Sequence, residues 1–210
     1  MATAVATRPP GTCALYNALP TLGQSDLDFK NREAVFDSLK PILAKWNFRW
    51  GISLIHAHCK LDEGEVMLSE GNVSRPVLAS EAGVYYPDRF LPSGIPYEFT
   101  KTPTEEPPKD LIYEFLAVVK ATQLEGVLGL YPTDADKDKP AELERTEGRK
   151  NITEPITPEG WLAEPVQTAW DFGRGDPVTM ACTKWCDTRT SRSGNGDYHK
   201  GTKSHKQDGQ

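Results

Sequence analysis

Between Trp50 and Glu65 the chain reads Trp-Gly-Ile-Ser-Leu-Ile-His-Ala-His-Cys-Lys-Leu-Asp-Glu-Gly-Glu, an apolar run of β-formers that ends in a carboxylate-rich turn. Side chains alternate faces along a strand, so a strand over 48–57 puts Ile52, Leu54, His56 and His58 on one side. Two imidazoles at that spacing stand a few ångström apart and point the same way. The pattern suits a shared divalent metal ion or proton chemistry on one substrate. Cys59 falls on the opposite face and reads as a small core residue.

Around this strand the hydrophobic periodicity predicts an α+β fold. Val35, Phe36, Leu39, Ile42, Leu43 and Trp46 recur at helical spacing after a start signal at Ser25, with a kink or early stop predicted at Pro41. Leu111, Ile112, Phe115, Val118, Val119 and Leu124 form a second amphipathic face, begun where Pro107-Pro108 fits a helix start. Further strands are expected at 65–69, 75–86, 126–131, 151–156, 166–172 and 178–182. The expectation is a single domain: an antiparallel or mixed sheet of about six or seven short strands, with two main helices packed on it. Residues 1–24 read as a flexible lead-in, 25–186 as the domain, and 187–210 as a polar tail without the apolar residues needed to bury a core. The stretch 133–148, with Asp134-Ala-Asp-Lys-Asp-Lys139, reads as an exposed loop, and Glu144, Arg145, Glu147 and Arg149 as a solvated charged face.

Charge and composition narrow the function. A net charge of −6 argues against nucleic acid as a partner. No run approaches the 18 or so apolar residues of a membrane span. The first residues, broken by Arg8-Pro9-Pro10, lack the apolar core of a secretory signal, so a cytoplasmic location is expected. In that compartment the four cysteines, Cys13, Cys59, Cys182 and Cys186, are better read as thiols or metal ligands than as disulfides, although an even count also permits two disulfides.

All four histidines fall in two groups. In the first, His56 and His58 would be joined by Glu63 as a third ligand, with Glu65 as ligand or general base. Such a site suits zinc or iron and leaves positions open for a small-molecule substrate. The spacing Gly51-x4-His56-x-His58-x4-Glu63 resembles the first motif of the cupin family, whose matching residue types bind metal. In the second group, Cys182-x3-Cys186-x12-His199-x5-His205 has zinc-finger intervals. The aromatic and leucine of a DNA-reading finger are missing between Cys186 and His199. A structural zinc that pins the tail remains, as does a plain polar tail. A third arrangement joins the groups, with Cys182 and Cys186 beside His56 and His58 on adjacent strands.

The stretch Gly51 to Met67, with Glu147-Gly-Arg-Lys-Asn-Ile152, Thr168-Ala-Trp170 and Cys182-x3-Cys186, resembles a group of uncharacterised proteins from filamentous fungi. The resemblance implies an intracellular fungal protein linked to secondary metabolism. Two functions follow as expectations: a metal-dependent small-molecule enzyme working at the His56/His58 groove, or a non-enzymatic interaction protein with a structural zinc in its C-terminal Cys/His group.

Overall fold

The computed structural model describes residues 12–134, 140–156, 166–174 and 179–186, with backbone alone at Thr12, Arg174, 179–183 and Trp185. Among the described residues four helices, α1 (Thr12–Asn17), α2 (Leu22–Asp28), α3 (Arg32–Ala44) and α4 (Lys109–Ala121), accompany ten strands. The strands are β1 (Trp50–Leu54), β2 (Glu65–Glu70), β3 (Val73–Leu78), β4 (Tyr86–Phe90), β5 (Pro96–Thr100), β6 (Leu128–Pro132), β7 (Glu142–Glu147), β8 (Lys150–Pro155), β9 (Val166–Arg174) and β10 (Thr179–Cys186). The α+β class and the mixed sheet are as expected; the strand count is higher than the six or seven expected. The sheet closes into a barrel in the order β1-β6-β4-β5-β2-β3-β8-β7-β10-β9, with β9 pairing back onto β1. Every pairing is antiparallel except β2 with β5 and β7 with β10.

The two longer helices use the faces that their periodicity predicts. Val35, Phe36, Leu39, Ile42 and Leu43 are buried on α3, and Leu111, Phe115 and Val119 on α4. Pro41 does not stop α3, which runs to Ala44 before ending. Ser25 is not a helix start but lies within α2, capped instead by Thr21, and its hydroxyl donates to the Ile55 carbonyl at 2.5 Å. These helices cover one outer wall of the barrel. Trp50, Ile52 and Leu54 of β1, Leu128 and Leu130 of β6, Phe90 of β4, and Trp170 and Phe172 of β9 join them in the main core. An aromatic cluster ties wall to helix: the Trp170 ring lies 5.5 Å from Phe29 and 5.4 Å from Phe36. Close strand contact is needed too. A Cβ on Gly129 would stand 2.5 Å from the Phe90 carbonyl oxygen, so only glycine lets β6 lie against β4 there.

Because side chains alternate, the opposite face of the same strands points into the barrel. It is buried by closure rather than by helices, and it is polar: Ser53, Arg89, Glu98, Glu144, Thr146, Asn151, Thr168 and Asp171 are each under 10% exposed. This interior overturns the reading of 133–148 as an exposed loop. Residues 142–147 form β7, and Glu144 is 4% exposed inside the barrel instead of on a solvated face. The stretch expected to be a flexible lead-in carries α1, whose Tyr16 is fully buried, and the start of α2.

Candidate metal centre

β1 ends at Leu54, and the following segment keeps an alternation of its own. Ile55, Ala57, Cys59 and Leu61 enter a second apolar cluster with Tyr16, Met67 and Tyr97. His56 and His58 turn the other way, so they do not share a face with Ile52 and Leu54 as a longer strand would require. Their rings meet edge to face, with centroids 4.7 Å apart, and both are buried. Cys59 is buried in the apolar cluster, and burial pushes its thiol up to about 11, consistent with an inert core residue.

The carboxylate brought to the histidines is Glu144. One ligand atom each from His56, His58 and Glu144 lie within 4.8 Å of one another, and among the described residues this is the group that could hold a metal ion. The His56 Nδ1 is 3.0 Å from the Leu54 carbonyl oxygen. A carbonyl only accepts, so Nδ1 carries the proton and Nε2 is left with its lone pair toward the group. Burial lowers the His56 pKa against the opposing pull of Glu144, which keeps the ring neutral and able to ligate at neutral pH. Burial alone would raise Glu144, but Lys184, followed by His58, Arg89 and His56, holds its carboxyl well below the ordinary range. Lys184 Nζ is 3.1 Å from Glu144 Oε1, which gives the charge its immediate partner.

Behind the histidines Tyr16 accepts a bond from the His58 backbone N–H at 3.1 Å, and its hydroxyl lies 3.5 Å from Glu98 Oε1. Glu98 Oε1 is in turn 3.6 Å from His58 Nε2. Burial drives Glu98 up to about 8, with the nearby Arg89 only partly offsetting it, so this carboxyl is largely protonated at neutral pH. A space of about 10 Å³ sits among Ser53, His56, His58, Arg89, Glu98 and Glu144. That is room for one water or one ion.

Arg89 connects this space to a larger one. A cleft of about 770 Å³ is lined by Arg49, Trp50, Asp88, Arg89, Tyr131, Glu142, Asp171 and Lys184, among others. Arg89 stacks on the Tyr131 ring at 4.7 Å, and the Tyr131 hydroxyl donates to Asp171. A Cβ on Gly51 would stand 2.6 Å from the Tyr131 ring, so glycine at that position makes room for the stack. Arg89 and Lys184 thus form a charged floor between cleft and metal group. The volume is that of an ordinary small-molecule pocket.

The other predicted ligands separate clearly. Glu63 is exposed in the turn before β2. Glu65 is bound by Arg149, which also donates to the Lys60 carbonyl at 2.8 Å, and it accepts from the Asp62 N–H at 2.7 Å. It therefore ties the β7–β8 turn to the segment after His58 and is not part of the metal group. Cys186 does reach the first group: its Sγ is 3.1 Å from Glu144 Oε2 and 3.7 Å from His56 Nε2. Of the joined arrangement, the described residues show one part, Cys186 beside His56, together with Glu144. Cys182 lies on β10, its side chain outside the description, and His199 and His205 lie outside the described residues. Glu144 was missed because its charged neighbours resemble a loop. A readable sign was the glycine-led two-residue turn Gly148-Arg149, with Gly148 at φ 62°, which joins β7 to β8 as a hairpin.

Glu65→Gln tests the structural assignment. The desolvation that raises Glu65 is outweighed by its bond to Arg149, so its pKa is lowered on folding. The stabilisation is present above the unfolded carboxylate value of about 4.3 and is lost as pH falls through the folded value. The variant is expected to lose about 1 kcal/mol at pH 7 in urea unfolding and to lose less at pH 3. Unchanged stability at pH 7 would remove the structural role assigned to Glu65 here.

Comparison with protein-family models, curated proteins and solved structures gives no match to this chain. What the fold and site define is therefore a class: a closed β-barrel with a titratable interior that opens into a cleft. No helix among the described residues is long and apolar enough to cross a membrane.

Proposed function

We propose that this chain is a metal-dependent small-molecule enzyme, with the ion held by His56, His58 and Glu144 and the substrate seated in the adjoining cleft. The observation that carries the reading is the placement of two imidazoles and a carboxylate around an ion-sized space directly behind the charged floor of a 770 Å³ cleft. Two imidazoles and one carboxylate suit zinc or ferrous iron, and an ion so held polarises a bound oxygen or lowers the pKa of a bound water. Arg89 and Lys184 would meet the polar end of a substrate entering from the cleft. Asp171, held by Tyr131, sits on the same wall and favours a ligand bearing hydrogen-bond donors.

Elemental analysis of untagged protein tests the reading. We expect about one zinc or iron per chain in the native protein and in a chain truncated after Asp187, and none in the His56→Ala/His58→Ala variant. Metal retained by the double variant, or lost on truncation, would move the site to the C-terminal Cys/His group and support the non-enzymatic reading.

A further inference from the structure

Cys186 has two neighbours that a core thiol does not need. Its Sγ lies 3.1 Å from Glu144 Oε2 and 3.7 Å from His56 Nε2, and a third contact reaches Thr168 Oγ1 at 3.8 Å. The residue is fully buried at the C-terminal end of β10, where the parallel pairing with β7 sets Cys186 opposite Glu144. That register puts thiol and carboxylate side by side across two strands.

The two distances have a specific meaning around an ion. For tetrahedral zinc, with bonds of about 2.3 Å to sulfur and about 2.0 Å to nitrogen or oxygen, ligand atoms stand about 3.5 Å apart along each sulfur edge. The observed edges of 3.1 and 3.7 Å bracket that value. An ion bonded to His56 Nε2 and Glu144 Oε2 would therefore have Sγ within bonding reach, while His58, whose ligand atom lies within 4.8 Å of those of His56 and Glu144, would close onto the ion by side-chain movement.

We infer that Cys186 is the fourth ligand, completing a His56/His58/Glu144/Cys186 site for a thiophilic divalent ion. The inference rests on the proposed metal centre and narrows its occupant. Sulfur in the ligand set selects zinc, ferrous iron or cobalt over magnesium, calcium or manganese, which prefer oxygen. On binding, the S–H bond breaks as the metal–sulfur bond forms, and the proton passes to solvent; no oxidant or reductant is involved. The residues that supply the four ligands come from the segment after β1, from β7 and from β10, so the ion would staple the barrel at its seam. Four protein ligands close a tetrahedral site, so a substrate reaching such an ion from the cleft would have to add as a fifth ligand or displace one of the four.

Cobalt(II) titration of the full chain separates this inference from the reading beneath it. The native protein should give the intense visible bands of a tetrahedral site and, in addition, a sulfur-to-cobalt charge-transfer band in the near ultraviolet. Cys186→Ser should keep stoichiometric cobalt but lose the near-ultraviolet band. Visible bands without the charge-transfer band in the native protein, or a charge-transfer band that persists in Cys186→Ser, would overturn the role of Cys186 and leave the three-residue centre standing. Failure of native protein to bind cobalt would overturn the centre itself. Should Cys186→Ser not fold, X-ray absorption of the native cobalt or zinc protein decides: a sulfur neighbour at about 2.3 Å supports the ligand, and a shell of nitrogen and oxygen alone rejects it.

Discussion

Glu144→Gln is expected to abolish metal retention and to cost the metal-free protein about 3 kcal/mol, the usual penalty for removing one partner of a buried ion pair. The side chain keeps its size, so packing is nearly unchanged. What is lost is the negative charge facing Lys184 at 3.1 Å, which leaves the ammonium leaning on Glu142 at 3.4 Å. The amide oxygen is a poor replacement for a carboxylate on a dication. The acid side of the stability profile should also change. Because the folded carboxyl is held below its unfolded value, its stabilisation is present above about pH 4.3 and lost as pH falls. The variant should therefore lose that part of the slope. Equilibrium dialysis against zinc, together with urea unfolding at pH 7 and pH 3.5, reads both effects. A variant that holds zinc at native stoichiometry would eliminate Glu144 as a ligand.

Trp170→Ala should be the most damaging single change to the fold, at about 4 kcal/mol. Trp170 is 1% exposed and packs on Phe29 and Phe36, with the Arg32 guanidinium 5.5 Å from its ring. It also stands on the strand that pairs with β1 at Ile52. Truncation opens a hole where helix, strand and barrel closure meet, and the two rigid phenyl rings cannot collapse into it as aliphatic chains do. Against a typical total of about 5–15 kcal/mol, such a loss removes roughly a quarter to most of the stability. The urea midpoint and the near-ultraviolet circular dichroism of the aromatic cluster measure it. A loss below about 1 kcal/mol would mean that the cluster repacks and that helix docking does not depend on this ring.

The parts of the fold that obey a simple inside–outside rule were legible in the sequence. The buried faces of α3 and α4 follow the 3.6-residue period, and β1, β2 and β6 follow apolar runs bounded by turns. The rule inverts where a barrel has a polar interior. On β7 the inward residues are Glu142, Glu144 and Thr146, and hydrophobic content no longer distinguishes the buried face from the solvated one. The same inversion hid Glu144, the carboxylate of the candidate group: the nearby Glu63 and Glu65 were closer in sequence, but the turn carries them away, one to solvent and the other to Arg149. His56 and His58 were visible because histidines two apart are rare enough to notice. Closure was not visible, since β9 and β1 are separated by more than 100 residues and no local pattern announces their pairing. Nor was α1, whose six residues are too few for a periodic signal and are held by contacts such as the paired bonds of the Asn17 amide with the Leu61 backbone, both 2.8 Å.

The order of the strands has a temporal consequence. His56 and Cys186 lie 130 positions apart, and Glu144 belongs to a hairpin made between them. During synthesis the first two donors emerge well before the others and have no ring to complete. The proposed four-residue donor set would exist only once β10 has been made and seated beside both β7 and β9. An ion bound at full strength is thus a certificate of finished assembly, and a truncated or arrested chain would surrender it to any competing chelator.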